Sequence, residues 1–280
     1  MPLWVTLSLL AGVAGSISNI LYRITLKESV DASVTAWFLQ VLRLICALVI
    51  IVWFGISFDL RSVVILTILG LIEVVGMYAY MRMHAASALS VSAIVQRSRI
   101  IWTAILAAMF VGETFTPMQI GGLLVLFLGV SAVAAPHTLR TDKGVQFALL
   151  SAFLFSVTTI MIKATIGSIP PAAQVAGLAF PSIFIFPMLT KSFGSKLKQF
   201  TRDRIWLKFF AALGNVAVLF LTVYAFAIGP AAKISAIFQG SLVISVFGGI
   251  ILLGERDDMH RKLFGAALVI SGIIATSYGY

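Results

Sequence analysis

Ten separate stretches of the chain are apolar for about as long as a helix needs to cross a hydrocarbon layer. They run over residues 3–24, 36–54, 63–83, 88–111 and 118–135, then 145–166, 172–189, 205–228, 231–253 and 263–277. A spanning helix takes roughly 20 mostly apolar residues. Lipid offers no water to satisfy peptide N–H and C=O groups, so a spanning segment is a helix or a strand of a closed barrel. Barrel strands alternate apolar and polar side chains. These runs are continuous, and the expected class is an all-α integral membrane protein of ten transmembrane helices.

Composition agrees. Charged residues are 11% of the 280 positions and hydrophobic ones 60%, against about 25% charged in soluble chains. A soluble domain this apolar could not cover its own surface, and no segment between the stretches is long enough to form one. The net charge of +10 is better explained by an orienting bias in the loops than by nucleic-acid binding. Cys46 is the single cysteine, which excludes an intramolecular disulfide and a cysteine-based metal cluster. The N-terminus lacks the basic region of a cleavable signal peptide, so the first stretch is expected to stay as a permanent helix. Pro117, Pro170, Pro171 and Pro230 fall where helices begin, and Pro181 and Pro187 should bend the seventh. Trp4, Trp37, Trp53 and Trp206 sit near helix ends, as an interfacial belt has them.

An internal repeat organises the ten stretches. Ser92-Ala93-Ile94 followed by Gln96 and Ser98 recurs as Ser235-Ala236-Ile237 followed by Gln239 and Ser241, an offset of 143 residues. Gly122 and Gly129 recur at the same offset as Gly265 and Gly272, and Gly112-Glu113 recurs one residue out of step as Gly254-Glu255. Upstream, Leu9, Leu10, Ser16 and Arg23 map onto Leu149, Leu150, Ser156 and Lys163 at 140. The chain thus divides into related halves, 1–136 and 145–280, of five helices each. An odd number of spans makes the second half enter the membrane from the opposite side. The result is an inverted repeat, an architecture whose midplane interface commonly holds a transporter's substrate.

With this layout the chain resembles the drug/metabolite transporter superfamily, in its ten-helix EamA-type branch. The resemblance rests on the five-plus-five plan and on the small-residue-rich fourth and ninth helices. Each ends in Gly-Glu before a short glycine-bearing helix. Arg43 between Leu42 and Leu44 fits as well. It implies a cavity between the halves walled by helices 1, 3, 4, 6, 8 and 9, worked by alternating access and often proton-linked.

Ionisable groups inside spans are costly and so are functional candidates. Glu73 is the one acid well inside a stretch. Arg43, Arg97, Arg99 and Lys233 are the embedded bases. Helical spacing puts Ser92, Gln96, Arg99 and Thr103 on one stripe of the fourth helix, with Trp102 one turn from Arg99, and Arg97 some 200° away from it, so the two arginines are not expected to face one cavity. Equivalent polar stripes are Ser16, Asn19 and Arg23; Glu73, Gly76 and Tyr80; Ser156, Thr159 and Lys163; and Asn215, Thr222 and Phe226. Asn19, Tyr80, Gln96, Arg99, Trp102, Asn215 and Gln239 are the expected substrate contacts. The two glutamines form a pair, one from each half, and Arg99 acts as a carboxylate clamp through its planar fork. Serine and glutamine also serve simply as glue between helices. Arg43 and Arg97 are expected to be structural. Glu73 stands between two readings, a proton-coupling carboxylate or a fixed ion pair with Arg43, Arg97 or Arg99. Glu113 and Glu255 are expected at helix ends. His84, His137 and His260 are expected in connections, with no spacing that would bind a metal.

Connections after the odd-numbered helices hold most of the basic residues, among them Arg82, Arg140, Lys196, Lys198, Arg202 and Arg261. By the positive-inside rule both termini lie outside the cytoplasm, whereas the resemblance implies both inside. The function expected is secondary active transport of a small polar metabolite (an amino acid, another carboxylate or a similar solute), with export favoured. The chain would sit in the cell (inner) membrane, if bacterial, as a monomer or homodimer, contacting lipid and solute but not nucleic acid and needing no cofactor. The alternatives are a flippase for a lipid-linked headgroup and an intramembrane enzyme. The enzyme would want clustered acids, histidines or a nucleophile–base pair inside spans, and a single acid is present there.

Overall fold

The computed structural model describes residues 2–27, 31–55, 59–110, 112, 114–133, 142–202, 204–229, 234, 238, 241–254 and 258–277. Among these, regular structure is helical throughout. In chain order come α1 (Leu3–Lys27), α2 (Ala32–Phe54), α3 (Leu60–Ala86), α4 (Leu89–Gln96), α5 (Ser98–Phe110) and α6 (Pro117–Val133). They are followed by α7 (Lys143–Thr165), α8 (Pro171–Leu189), α9 (Phe193–Arg202), α10 (Ile205–Ile228), α11 (Leu242–Leu252) and α12 (Met259–Ser277). Among the described residues, seven segments are long and apolar enough to cross a membrane: α1, α2, α3, α4 and α5 taken together, α7, α8 and α10. Gln239, Lys233, His137, Pro230, Glu113 and Glu255 lie outside the described residues.

Local chemistry sets the helix starts. Asp31, Asp59 and Asp142 cap α2, α3 and α7, their carboxylates accepting from the first free backbone N–H groups. Pro117 opens α6 and Pro171 opens α8, where a missing N–H costs nothing. Pro181 and Pro187 are carried inside α8.

The burial pattern runs opposite to that of a soluble protein. Gln40, Ser92, Ser156 and Gln174 are sealed inside, while Val52, Trp53, Met188 and Trp206 stand exposed on the outer faces. Many interior hydroxyls bond back to their own helices, as Ser18 Oγ does to the Ala14 carbonyl at 2.9 Å and Thr159 Oγ1 to the Phe155 carbonyl at 2.7 Å. Apolar solvent outside and satisfied polar groups inside are what a lipid environment selects.

The halves meet symmetrically. A Cβ added at Gly129 would lie 2.8 Å from the Gly265 carbonyl oxygen and the Val269 nitrogen. One added at Gly272 would lie 2.6 Å from the Gly122 carbonyl oxygen and the Leu126 nitrogen. These positions exchange under the 143-residue shift. The contacts also run in opposite senses along the two helices, so α6 and α12 cross antiparallel with backbones touching. Elsewhere α1 packs on α10 and α3 on α7, partners that also swap when the halves are exchanged, while α2 packs on α8.

Two departures from expectation matter. The fourth stretch is not one helix. Its N–H at Arg97 donates to the Ile94 carbonyl and the Arg97 carbonyl accepts from Ile100, each at 3.0 Å. A tight i→i−3 turn thus separates α4 from α5. The ninth stretch has a matching tight turn, Ser241 N–H to the Phe238 carbonyl and Ile244 N–H to the Ser241 carbonyl. Ser16 Oγ donates to the Ser241 carbonyl and Ser156 Oγ to the Arg99 carbonyl, so equivalent serines of α1 and α7 stitch the two breaks.

The second departure is α9, where the sequence reading had only a basic connection. Phe200 is buried against Phe38, and Phe193 stacks edge-on with Trp37. Lys196 Nζ bonds the Asp31 carboxylate at 2.8 Å and Lys208 Nζ donates to the Phe200 carbonyl. An amphipathic helix of this kind lies along the bundle end instead of crossing it.

Candidate functional site

Where α1, α3, α5, α7 and α10 approach one another at mid-length, they leave a cavity of about 130 Å³, roughly ten times the space that admits one water. Small residues open it. Gly15 of α1 faces Val218 and Phe238, and Gly76 of α3 lets the ring of Phe155 approach. The floor is polar. Arg43 Nη1 bonds Glu73 Oε1 at 2.7 Å and Gln40 Oε1 at 3.1 Å, and Arg43 Nη2 bonds Asn215 Oδ1 at 2.6 Å. Both members of the ion pair are buried, Glu73 at 4% exposure. The fixed-pair reading of Glu73 therefore describes its contacts here, and Arg43 is both structural and part of the cavity wall.

Arg99 Nη2 donates to Thr159 Oγ1 at 2.5 Å, and its guanidinium carbon lies 5.5 Å from the centre of the Phe155 ring, within cation–π range. Arg97 lines the same cavity. This corrects the expectation that Arg97 and Arg99 cannot face one space. That expectation assumed an unbroken helix, and the tight turn at Arg97 changes the phase of α5 relative to α4. Gln96 also lines the cavity and accepts a hydrogen bond from Ser151 Oγ at 3.0 Å.

Asn19, Tyr80 and Asn215 all reach the cavity, and the Tyr80 hydroxyl donates to Asn19 Oδ1. Trp102 does not. It stands on the outer face, 36% exposed, edge-on to Phe153 at 5.3 Å, because it lies about 100° around α5 from the cavity-lining Thr103. Lys163 and Arg23 are likewise absent from the wall. Arg23 Nη1 instead donates to the His84 and Ala85 carbonyls at the end of α3.

The cavity is asymmetric along the bundle. In one direction it reaches Ile162, Thr222 and Phe226 toward the ends of α7 and α10. In the other it stops at Tyr80, beyond which Tyr22 and His84 fill the space, each 1% exposed. The His84 ring sits 4.7 Å from that of Tyr80 and 5.9 Å from that of Tyr22. His84 was expected in a connection, but α3 runs two residues past it. Ser87 Oγ donates to Asp142 at 2.8 Å beyond this plug. Phe155, Ile162 and Phe238 were missed by sequence reasoning, since apolar residues in an apolar helix carry no signal of which face they line. Among the described residues no three His, Cys, Asp or Glu side chains converge as a metal site requires.

A family model for the EamA-like transporter family matches residues 2–135 and again residues 142–278. The chain belongs to the EamA-like transporter family. The drug/metabolite-transporter resemblance is thereby established, the chain is an integral membrane protein, and its family is one of transporters and not of enzymes. A solved structure described only as "Crystal structure of protein" is similar over 96% of this chain and 98% of its own, with a TM-score of 0.63 and 16% identity. At that identity the likeness concerns the EamA-like fold alone. No curated protein matches the chain.

Proposed function

We propose that this EamA-like protein is a secondary active carrier of a small polar metabolite, an organic acid or amino acid, working by alternating access. Ten spans in two inverted halves form its frame. The observation that carries the reading is the mid-bundle cavity, polar at its floor, walled by both halves and stopped at one end by Tyr80, Tyr22 and His84. A compartment of this form is what alternating access requires, with the symmetric crossing of α6 and α12 as a natural hinge line.

Gln96, Arg99, Asn19, Tyr80 and Asn215 hold the solute. Glu73 carries the coupling. A substrate carboxylate seated on Arg99 adds negative charge to the cavity that Glu73 shares, and Glu73 then takes up the proton that moves with the substrate.

The test is counterflow in proteoliposomes loaded with candidate solutes. A carrier accelerates uptake of a labelled solute when the same unlabelled solute fills the lumen. Flux without such acceleration, or movement of labelled lipid headgroups alone, would overturn the reading.

A further inference from the structure

The charges of the cavity are distributed unevenly between the two halves. Among the described wall residues, the charged groups are Arg43, Glu73, Arg97 and Arg99, and all four belong to the first half. The second half contributes hydroxyls, the Asn215 amide and an apolar surface including Ile162, Val223, Phe226 and Phe238. Arg43 and Arg99 against the one carboxylate leave a formal surplus of positive charge among the described wall residues, facing a largely apolar surface on the other side.

Arg99 is the donor placed to use that surplus. Thr159 takes one of its N–H groups and the Phe155 ring supports the guanidinium from the side. None of its nitrogens is among the buried side-chain atoms without a partner. A guanidinium carries five N–H donors in a rigid fork, and the remaining ones of Arg99 reach open cavity. Bidentate binding of a carboxylate matches that fork.

An ammonium group finds a poor environment in the same place. Glu73 is the one carboxylate of the described wall, and Arg43 holds it at 2.7 Å. A substrate ammonium would have to displace Arg43 while surrounded by guanidinium groups of like charge.

We infer that the substrate is an organic monocarboxylate with an apolar body and no ammonium group. Its acid end sits on Arg99 and its apolar end against Ile162, Val223, Phe226 and Phe238. This rests on the carrier reading and narrows it. The polarity of the substrate follows the division between the halves, with the first half reading the charge and the second the hydrocarbon.

Four probes of similar size separate the classes when their binding to the purified protein is measured by calorimetry and by thermal shift. They are 3-phenylpropionate (anion with apolar body), phenylalanine (zwitterion), phenethylamine (cation) and succinate (polar dianion). We expect 3-phenylpropionate to bind at least tenfold more tightly than each of the others. Arg99→Gln should weaken it tenfold or more, with Arg99→Lys intermediate because the charge stays and the fork is lost. Phe226→Ala should weaken 3-phenylpropionate several-fold and leave acetate binding unchanged, a readout independent of whether the arginine variants fold. Phenylalanine or succinate binding as tightly as 3-phenylpropionate overturns the inference, as does binding of no probe. Either result leaves the carrier reading to the counterflow assay, which asks about movement and not about this chemical class.

Discussion

Removing the Glu73 carboxylate tests the organisation of the cavity floor most sharply. Arg43 is buried, with three acceptors within 3.1 Å: the Glu73 carboxylate and the neutral amide oxygens of Gln40 and Asn215. Glu73→Leu keeps the volume apolar and leaves the guanidinium with the two amides. At an effective dielectric of about 20 and about 4 Å between charge centres, the lost attraction is about 4 kcal/mol. Stranding one member of a buried pair costs about 3–5 kcal/mol, and the two estimates agree. Glu73→Gln retains an acceptor and should lose roughly half as much. The double variant Arg43→Met/Glu73→Leu removes both charges. Because hydrophobic replacement of a whole buried pair is often close to neutral, it should recover most of the loss, giving a coupling of at least about 3 kcal/mol in a double-mutant cycle. Reversible unfolding in mixed micelles reads these values. A cost below about 1 kcal/mol for Glu73→Leu, or a double variant as unstable as the sum of the singles, would refute the reasoning.

Two further expectations concern the frame. Gly272→Ala and Gly129→Ala each push a methyl group into backbone atoms of the facing helix, at 2.6 and 2.8 Å. Each should cost about 1–3 kcal/mol, whereas Gly121→Ala meets nothing within 4 Å and should be neutral or slightly stabilising in the same unfolding assay. Asp31, at the bundle end, is partly buried, which by itself raises its carboxyl pKa. The hydrogen bond from Lys196 and those from the Ser33 and Val34 N–H groups outweigh this and hold the group below its usual value. A depressed folded-state pKa contributes stability that is present above the unfolded value of about 3.9 and is lost as pH falls through the folded one. Asp31→Asn should therefore lower stability at pH 7 by less than about 1 kcal/mol for a pair this accessible to solvent, with a slightly lower melting temperature. The two melting curves should converge as pH drops below about 4.

Much of this frame could be read from the sequence because hydropathy and glycine spacing act through the backbone. Gly122, Gly129, Gly265 and Gly272 repeat at one offset for a single reason, that two helices touch there. The polar stripes of α1, α3 and α10 were legible too, since a regular helix keeps Asn19, Tyr80 and Asn215 in phase with the cavity. Legibility failed where the helix is not regular. A tight turn at Arg97 leaves no mark in residue types, and reading the stretch as one helix turns Arg97 away from the cavity. It failed again at α9, whose ten residues are too polar to register as a span and take their place only through Phe200, Lys196 and Lys208. Phe155 and Phe238 were invisible because an aromatic residue looks alike whether it faces lipid or solute.

Alternating access is the claim on which the rest depends, and Thr103 offers a direct probe of it. This residue lines the cavity, and cysteine fits the volume of threonine. With Cys46→Ser removing the native thiol, Thr103→Cys would be challenged in sealed vesicles with a membrane-impermeant maleimide applied to one face and then, separately, to the other. The account predicts labelling from both faces, with the ratio of the two rates shifting when the pH gradient is reversed. Labelling from one face only, under every gradient, would contradict it.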